Sequence, residues 1–151
     1  MITIKPVTVD EILPLRHKVM WPNKPIDFCK LPEDANGFHY GLFLEGRLIS
    51  CISAFIDVNT NEAQFRKFAT DQDYQHLGYG TLLLQSLMGE MKRKSVGLLW
   101  CNARVTALGF YGKFGFVTEG RSFEKDGMQY IRMQRELNSF CATLSPIPFF
   151  S

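Results

Sequence analysis

Alternating apolar and polar positions divide the first half of the chain into short strands and one helix. Residues 2–7 alternate as a strand does, and Thr8 with the acidic residues after it is typical of a helix start; that helix is predicted to run toward Trp21. Two alternating runs then flank the turn residues Glu45-Gly46, which predicts an antiparallel hairpin of Phe38–Leu44 with Arg47–Asp57. A further strand is predicted over Glu62–Thr70.

The second half begins with a helical period. After Gly80, apolar side chains recur at three- and four-residue steps, which predicts an amphipathic helix. These side chains are Leu83, Leu84, Leu87, Met88 and Met91. A buried-type strand over 97–102, a second helix over 105–114 ended by Gly115, and a hairpin of 116–123 with 128–136 follow. This order predicts an α/β (α+β) domain with a mixed, mostly antiparallel sheet flanked by helices over residues 1–137. Residues 138–151 fit no period and are interpreted as a C-terminal tail.

Composition narrows the class of protein. With 151 residues, 46% of them hydrophobic, the chain is long enough for one core without disulfides or metals. A net charge of +2 gives no footprint for nucleic acid or an anionic membrane surface. No apolar stretch approaches the roughly 18 residues that span a bilayer, so we expect a soluble, cytoplasmic protein. The cysteines lack metal-ligand spacing and no metal is expected; Cys51 and Cys101 lie in apolar runs and are predicted to be buried.

The loop before the first amphipathic helix is the most informative segment. Gly78 and Gly80 precede a helix N-terminus, where free backbone N–H groups can bind an anion, although a glycine pair is also an ordinary turn. A nucleoside-triphosphate loop is excluded, because Gly80 is followed by Thr81-Leu82 and not by Lys-Ser or Lys-Thr. A dinucleotide fingerprint is disfavoured, since a third glycine is missing and the preceding strands are predicted to be antiparallel.

Two motifs carry a resemblance to a known family. Residues 75–80, Gln-His-Leu-Gly-Tyr-Gly, fit the Q/R-x-x-G-x-G/A loop of the GNAT superfamily of acetyl-CoA-dependent N-acetyltransferases, between a strand and an amphipathic helix. Asn102-Ala103-Arg104, followed by Phe110-Tyr111, Lys113 and Gly115-Phe116, resembles the later family motif in which a helix ends in F-Y-x-K-x-G-F. The matched segment covers residues 62–116, and the resemblance implies a single GNAT-like domain with a splayed pair of strands at the cofactor site.

The resemblance also implies a cofactor site for acetyl-CoA, without metal. Backbone amides of the glycine loop would hold the CoA pyrophosphate, and main-chain groups of the preceding strand would contact the pantetheine and acetyl group. Asn102 matches a position that hydrogen-bonds the cofactor, although a helix N-cap would equally explain an asparagine there. The implied cofactor-binding residues are Phe68, Thr70, Gln75, His76, Leu77, Gly78, Tyr79, Gly80, Thr81 and Asn102.

Tyr111 is the candidate general acid. The family uses the tyrosine of this Phe-Tyr pair to protonate the leaving thiolate; the alternative is an aromatic residue that only packs in the core. An alkylamine is mostly protonated at neutral pH and must lose a proton before it attacks. Glu62 is the candidate base, with Glu33, Asp34 and His39 as alternatives, and a water relay with no single base is left open.

The resemblance implies transfer of an acetyl group from acetyl-CoA to a primary amine of a small molecule or peptide, by direct attack. A non-catalytic acyl-CoA-binding module of the same fold is the alternative. The acceptor is not encoded in a recognisable motif, although the acidic residues Asp27, Glu33 and Asp34 favour a cationic one. Neither nucleic acid nor membrane is an expected partner. The Pro- and Phe-rich tail is interpreted as a cover for a sheet edge or part of a homodimer interface.

Overall fold

The computed structural model describes residues 1–137, and the predicted tail lies outside them. The elements are β1 Ile2–Pro6, α1 Val9–Met20, β2 Phe38–Leu44, β3 Arg47–Asp57, β4 Glu62–Thr70, α2 Tyr79–Arg93, β5 Leu98–Arg104, α3 Leu108–Gly112, β6 Val117–Lys125 and β7 Met128–Glu136. The seven strands form one mixed sheet in the order β1-β2-β3-β4-β5-β7-β6, and helices α1 and α2 pack on it. The predicted fold class is confirmed.

Both predicted hairpins are present, and their turns explain why they could be located. Glu45 and Gly46 have φ values of 48° and 81°, and Asp126 and Gly127 have φ values of 52° and 78°. Two successive positive φ values define the turn whose twist matches that of paired strands, and it favours Asp-Gly and related pairs. At α1, Thr8 caps the helix as predicted: its hydroxyl accepts from the Glu11 N–H at 3.2 Å.

The predicted helix over residues 105–114 is wrong in extent. A 3-10 turn at Val105–Ala107 is followed by α3, which has only five residues. Gly109 and Gly112 weaken helix propensity in this segment. The aromatic spacing that suggested a longer helix continues to Phe114, beyond the end of α3. Gly115 has φ of 83° and ends the segment as expected.

Two groups of buried side chains lie on the opposite faces of the sheet. Leu87 and Met91 of α2 pack in a cluster that includes Ile52 and Leu99. Ile12 of α1 packs in the second cluster, with side chains of β3 and β4 that include Cys51 and Ala69. Cys51 and Ile52 are neighbours in β3, and successive side chains of a strand point to opposite faces, so one strand supplies both clusters.

A fully buried arginine joins α1 to the irregular segment that follows it. Arg16 is 0% exposed and forms a two-bond ion pair with Asp34, with N–O distances of 2.9 and 3.0 Å. Its Nη2 also donates to Ser53 Oγ of β3 at 2.9 Å, and its Nη1 to the Cys29 carbonyl at 3.2 Å. The pair therefore fixes the connection between α1 and β2 against the sheet.

His39 completes this buried network. Its Nε2 lies 2.9 Å from the Asp34 carbonyl oxygen, which can only accept, so Nε2 carries the proton. Its Nδ1 lies 2.7 Å from Ser53 Oγ, and that oxygen also accepts a hydrogen bond from Arg16. The ring is held at both nitrogens, and its role in the fold is to position Ser53 and the chain at Asp34.

We expect Asp34→Asn to destabilise the protein by about 3–5 kcal/mol, because it leaves the buried Arg16 charge unpaired. Urea unfolding at pH 7 measures the change. Asp27→Asn is the matched control, since Asp27 is exposed and pairs with Lys30 only at the surface; its effect should stay within about 0.5 kcal/mol. Equal losses in the two variants would contradict the assignment.

The Asp34 pair also predicts sensitivity to acid. Burial alone would raise the pKa of Asp34, but hydrogen bonds from Arg16 and the Leu31 N–H outweigh burial and lower that pKa. A lowered folded-state pKa stabilises the protein above the unfolded value near 3.9, and that contribution is lost as pH falls below it. The free energy of unfolding should therefore decline more steeply below about pH 4 in the wild type than in Asp34→Asn.

Candidate active site

The parallel pairing of β4 with β5 ends after three residue pairs. Glu62, Ala63 and Gln64 pair with Leu98, Leu99 and Trp100, respectively. Farther along, β4 continues on β3 as far as Thr70 and β5 continues on β7 as far as Arg104, so each strand keeps its outer neighbour. A gap therefore opens between the two strands, and the backbone groups that face it have no strand partner.

A β-bulge in β4 lies at this gap. Register shifts between Ser53↔Arg66 and Cys51↔Ala69, so β4 has one residue more than β3 over this stretch. Lys67, inside the bulge, has φ of 56°, which is uncommon for a residue other than glycine. Bulges bend a strand and increase its twist, which accounts for β4 turning away from β5.

Three adjoining cavities form one groove along the gap. The first, of about 540 Å³, lies at the glycine loop, and the second, of about 340 Å³, lies between the strands. Phe68 and Gln75 line both of these. The third, of about 140 Å³, lies toward the β6–β7 turn and shares Asn102 and Tyr130 with the second. We call the three the loop cavity, the central cavity and the far cavity.

The glycine loop presents free amides to the loop cavity. Gly78 is the N-cap of α2, with φ of 91°, and the first bond of the helix runs from the Leu82 N–H to the Gly78 carbonyl at 3.1 Å. The N–H groups of residues 78–81 precede that bond and have no acceptor within the helix. Gly78, Gly80 and Thr81 line the cavity. The arrangement is suited to an anion.

The other predicted loop residues have different surroundings. Gln75 donates from Nε2 to the Thr70 carbonyl at 2.9 Å, which ties the loop to the end of β4. His76 lines the loop cavity with φ of 63°. Leu77 is 65% exposed and Tyr79 packs edge-on against Tyr74, with ring centroids 6.4 Å apart; neither side chain lines the three cavities. Leu77 and Tyr79 can therefore contribute to the predicted cofactor site only through their backbone amides.

Tyr111 lines the central cavity and is held by a cluster of aromatic rings. Its centroid lies 5.8 Å from that of Phe65, 5.1 Å from that of Phe110 and 6.0 Å from that of Phe116. Burial raises the pKa of Tyr111 above its ordinary value, and the buried Cys101 thiol adds to the effect. The phenol is therefore protonated at neutral pH, as a proton donor must be. Its hydroxyl makes no hydrogen bond within residues 1–137.

Asn102 lies at the groove, whereas Glu62 lies outside it. Asn102 lies within β5, so it is not a helix N-cap, and it lines the central and far cavities. Glu62 lies where β4 and β5 are still paired, 3.6 Å from Arg132 Nη2, and lines none of the three cavities. Among the alternative bases, Asp34 and His39 belong to the buried network, and Glu33 pairs with Arg66 at 2.6 Å.

The cysteines of the described chain are buried, as predicted for Cys51 and Cys101. Burial raises the pKa of both thiols to about 12. Cys29 is 0% exposed in a 3-10 turn, and burial raises its pKa as well. Thiols with raised pKa values are poor nucleophiles at neutral pH, which gives no support to an acyl-cysteine route.

Comparison with known proteins identifies the family. Residues 31–137 match the family model described as "Acetyltransferase (GNAT) domain". Over 148 residues the chain is 30% identical to a Bacillus subtilis (strain 168) protein named uncharacterized N-acetyltransferase YitI, covering 92% of this chain and 99% of that one. The chain belongs to the GNAT superfamily of acetyltransferases.

Solved structures agree with this GNAT fold. The Escherichia coli ribosomal-protein-S18-alanine N-acetyltransferase superposes with a TM-score of 0.76 at 21% identity, over 95% of this chain and 99% of that one. An aminoglycoside 6'-N-acetyltransferase complexed with coenzyme A superposes with a TM-score of 0.75 at 11% identity, over 91% and 98%. At these identities the similarity establishes the fold.

Residues 1–137 contain neither a candidate membrane span nor a candidate metal site. No helix in that range is both long enough and apolar enough to cross a bilayer. In the same residues, no group of three or more His, Cys, Asp or Glu side chains is arranged to hold a metal ion.

Sequence reasoning missed the basic side chains that line the far cavity. Arg66, Lys67 and Lys125 lie there, although the sequence suggested an acidic acceptor region. Arg66 and Lys67 are neighbours at the bulge of β4, and both line the far cavity. A lysine at positive φ carries no sequence signal, so only the register of β4 on β3 reveals it.

We expect Gly80→Ala to weaken acetyl-CoA binding at least tenfold without unfolding the protein. A Cβ at Gly80 would lie 3.4 Å from Phe68 Cζ and from Thr70 Oγ1, an ordinary contact, on the wall of the loop cavity. Isothermal titration with acetyl-CoA measures the affinity. Gly112→Ala is the control, since its added methyl group meets nothing within 4 Å. Equal affinities for the two variants would show that the loop cavity does not bind the cofactor.

Proposed function

We propose that this GNAT acetyltransferase moves an acetyl group from acetyl-CoA to a primary amine by direct attack. The observation that carries the proposal is the continuity of the groove. It begins at four backbone N–H groups free of helix partners, passes the unpaired edges of β4 and β5, and continues past Tyr111 into the far cavity. The loop cavity suits the CoA pyrophosphate, the gap between the strands suits the pantetheine arm, and the far cavity suits the acceptor amine.

In this proposal the CoA pyrophosphate binds at the N-terminus of α2. The N–H groups of Gly78, Tyr79, Gly80 and Thr81 donate to it, and the helix dipole adds a favourable partial charge. Gly78 permits the αL backbone that turns these amides toward the cavity. Gln75 acts as a positioning residue, because its bond to the Thr70 carbonyl holds the loop on β4.

The pantetheine arm would lie along β4 in the gap. Its two amides can bond to backbone groups that β4 does not share with β5, as an added strand does at a sheet edge. Phe68 lines both the loop cavity and the central cavity, which suits a contact to the arm near its thioester end. Asn102, across the gap on β5, offers a polar side chain to the cofactor from the opposite wall.

The chemical step requires one proton for the leaving group. Amine nitrogen attacks the thioester carbonyl, the C–N bond forms, and collapse of the tetrahedral intermediate breaks the C–S bond. We assign Tyr111 as the donor to the departing sulfur, since burial keeps its phenol protonated and its ring is fixed by Phe65, Phe110 and Phe116. The products are then an N-acetylated amine and free CoA thiol.

We assign the proton of the attacking amine to water. Asp34 and His39 are bonded within the buried network, and Glu33 is paired with Arg66. Glu62, the base favoured from the sequence, lies at the paired end of β4 beside Arg132. The groove is open to solvent, so a water relay needs no further carboxylate.

Tyr111→Phe should lower kcat by about 10²–10⁴ while the Kd for acetyl-CoA changes much less. The substitution keeps the ring and removes only the hydroxyl, which has no hydrogen-bond partner in residues 1–137, so stability should change little. An acyl donor with a more acidic thiol should recover part of the rate, because it needs less help in leaving. Steady-state CoA release measures kcat.

Tyr40→Phe is the control, because it removes the hydroxyl of a buried tyrosine that lies in β2, outside the groove. Its kcat should equal that of the wild type at a temperature where it is folded. If Tyr111→Phe also matches the wild type when chemistry is rate-limiting, Tyr111 has only a packing role.

A further inference from the structure

The far cavity is the place where the acceptor would meet the thioester, on the proposed function. It adjoins the central cavity at Asn102 and Tyr130 and lies at the opposite end of the groove from the glycine loop. The β6–β7 turn supplies Lys125 and Asp126 to its wall, and the end of α1 supplies Trp21. Its lining therefore bears on which amine the enzyme takes.

Positive charge predominates in this lining. Arg66, Lys67 and Lys125 carry three positive charges against the single carboxylate of Asp126, which lies in an exposed turn. Arg66 forms an ion pair with Glu33. Lys67 and Lys125 have no ion pair or hydrogen bond from their side chains within residues 1–137.

Lys67 is the more constrained of the two lysines. It is half-buried in the strained bulge, at φ of 56°. Burial lowers the pKa of Lys67, and the positive charges of Arg66, Arg16 and Lys125 lower it further. An ammonium group in these surroundings is stabilised by any anion that enters the cavity.

The acidic residues that favoured a cationic acceptor are already paired. Asp27 bonds to Lys30 at 3.1 Å, Glu33 to Arg66 at 2.6 Å, and Asp34 to the buried Arg16. None of the three lines the far cavity. The expectation of a cationic acceptor therefore loses its basis.

We infer that the acceptor is an amine that also carries an anionic group, a carboxylate or a phosphate, and that the ammonium groups of Lys67 and Lys125 hold that group in the far cavity. The amine would then point back toward Tyr111 in the central cavity. Phe123 and Tyr130, stacked with centroids 5.9 Å apart and planes at 25°, give the cavity a flat apolar wall beside the charges. A simple alkylamine would face the two lysines with no compensating charge.

Matched pairs of amines test the inference. CoA release would be followed with β-alanine against β-alaninamide, L-phenylalanine against L-phenylalaninamide, and O-phosphoethanolamine against ethanolamine. We expect kcat/KM to be at least tenfold higher for the anionic member of a pair that is turned over. The carboxamides have the less basic amines, so amine reactivity alone would favour them. The third pair distinguishes phosphate from carboxylate as the group bound.

Lys67→Gln and Lys125→Gln should each raise KM for the anionic member about tenfold and leave the KM of the twin that lacks the anionic group unchanged. That split separates anion binding from a structural role, which would alter both members alike. Lys5→Gln, at an exposed position on the edge strand β1, is the control and should change neither. Circular dichroism confirms that each variant is folded.

The outcomes separate this inference from the proposed function. Acetylation that is indifferent to the anionic group, or lost equally for both twins in Lys67→Gln and Lys125→Gln, overturns the inference and leaves the proposed transfer reaction in place. If no amine of the panel is acetylated, the transfer to small amines is overturned, and this inference falls with it.

Discussion

The structure of the site depends on the short pairing between β4 and β5. Parallel strands in a sheet interior normally share their hydrogen bonds along their length, yet these two share them only from Glu62 to Gln64. The bulge at Lys67 bends β4 while its pairing with β3 continues to Thr70, so the sheet stays intact around the gap. The groove, the unpaired strand edges and the position of Tyr111 beside them all follow from this one interruption.

The buried Arg16–Asp34 pair supports the opposite wall. It links α1 to the segment before β2 and, through Ser53, to β3. Met20, at the end of α1, lines the central and far cavities. The ion pair therefore holds α1, which forms part of the groove, although Arg16 and Asp34 do not line the cavities themselves. Replacing a buried ion pair by apolar residues is often neutral or stabilising. In this protein the Arg16–Asp34 pair positions the long irregular connection between α1 and β2.

The strands and hairpins could be predicted because their signals are local. Alternation and the turn pairs Glu45-Gly46 and Asp126-Gly127 act within a few residues, and the glycine loop and the Phe-Tyr motif are contiguous. The Arg16 network joins side chains that are far apart in sequence, so no local pattern shows that Asp34 and His39 are already bonded. For that reason the sequence left both of them as candidates for the catalytic base. The length of α3 was predicted wrongly for a local reason, because the aromatic periodicity continues past the residue at which the helix ends.

The central claim is that the gap between β4 and β5, with the glycine loop, binds the acyl donor. Backbone amide NMR during titration with acetyl-CoA tests it directly, because the N–H groups concerned are reported one by one. The account predicts that the largest shifts fall at Gly78, Gly80 and Thr81 and along β4 from Phe65 to Thr70, with β1 unaffected. Saturable binding that leaves those amides unchanged and shifts others would contradict it.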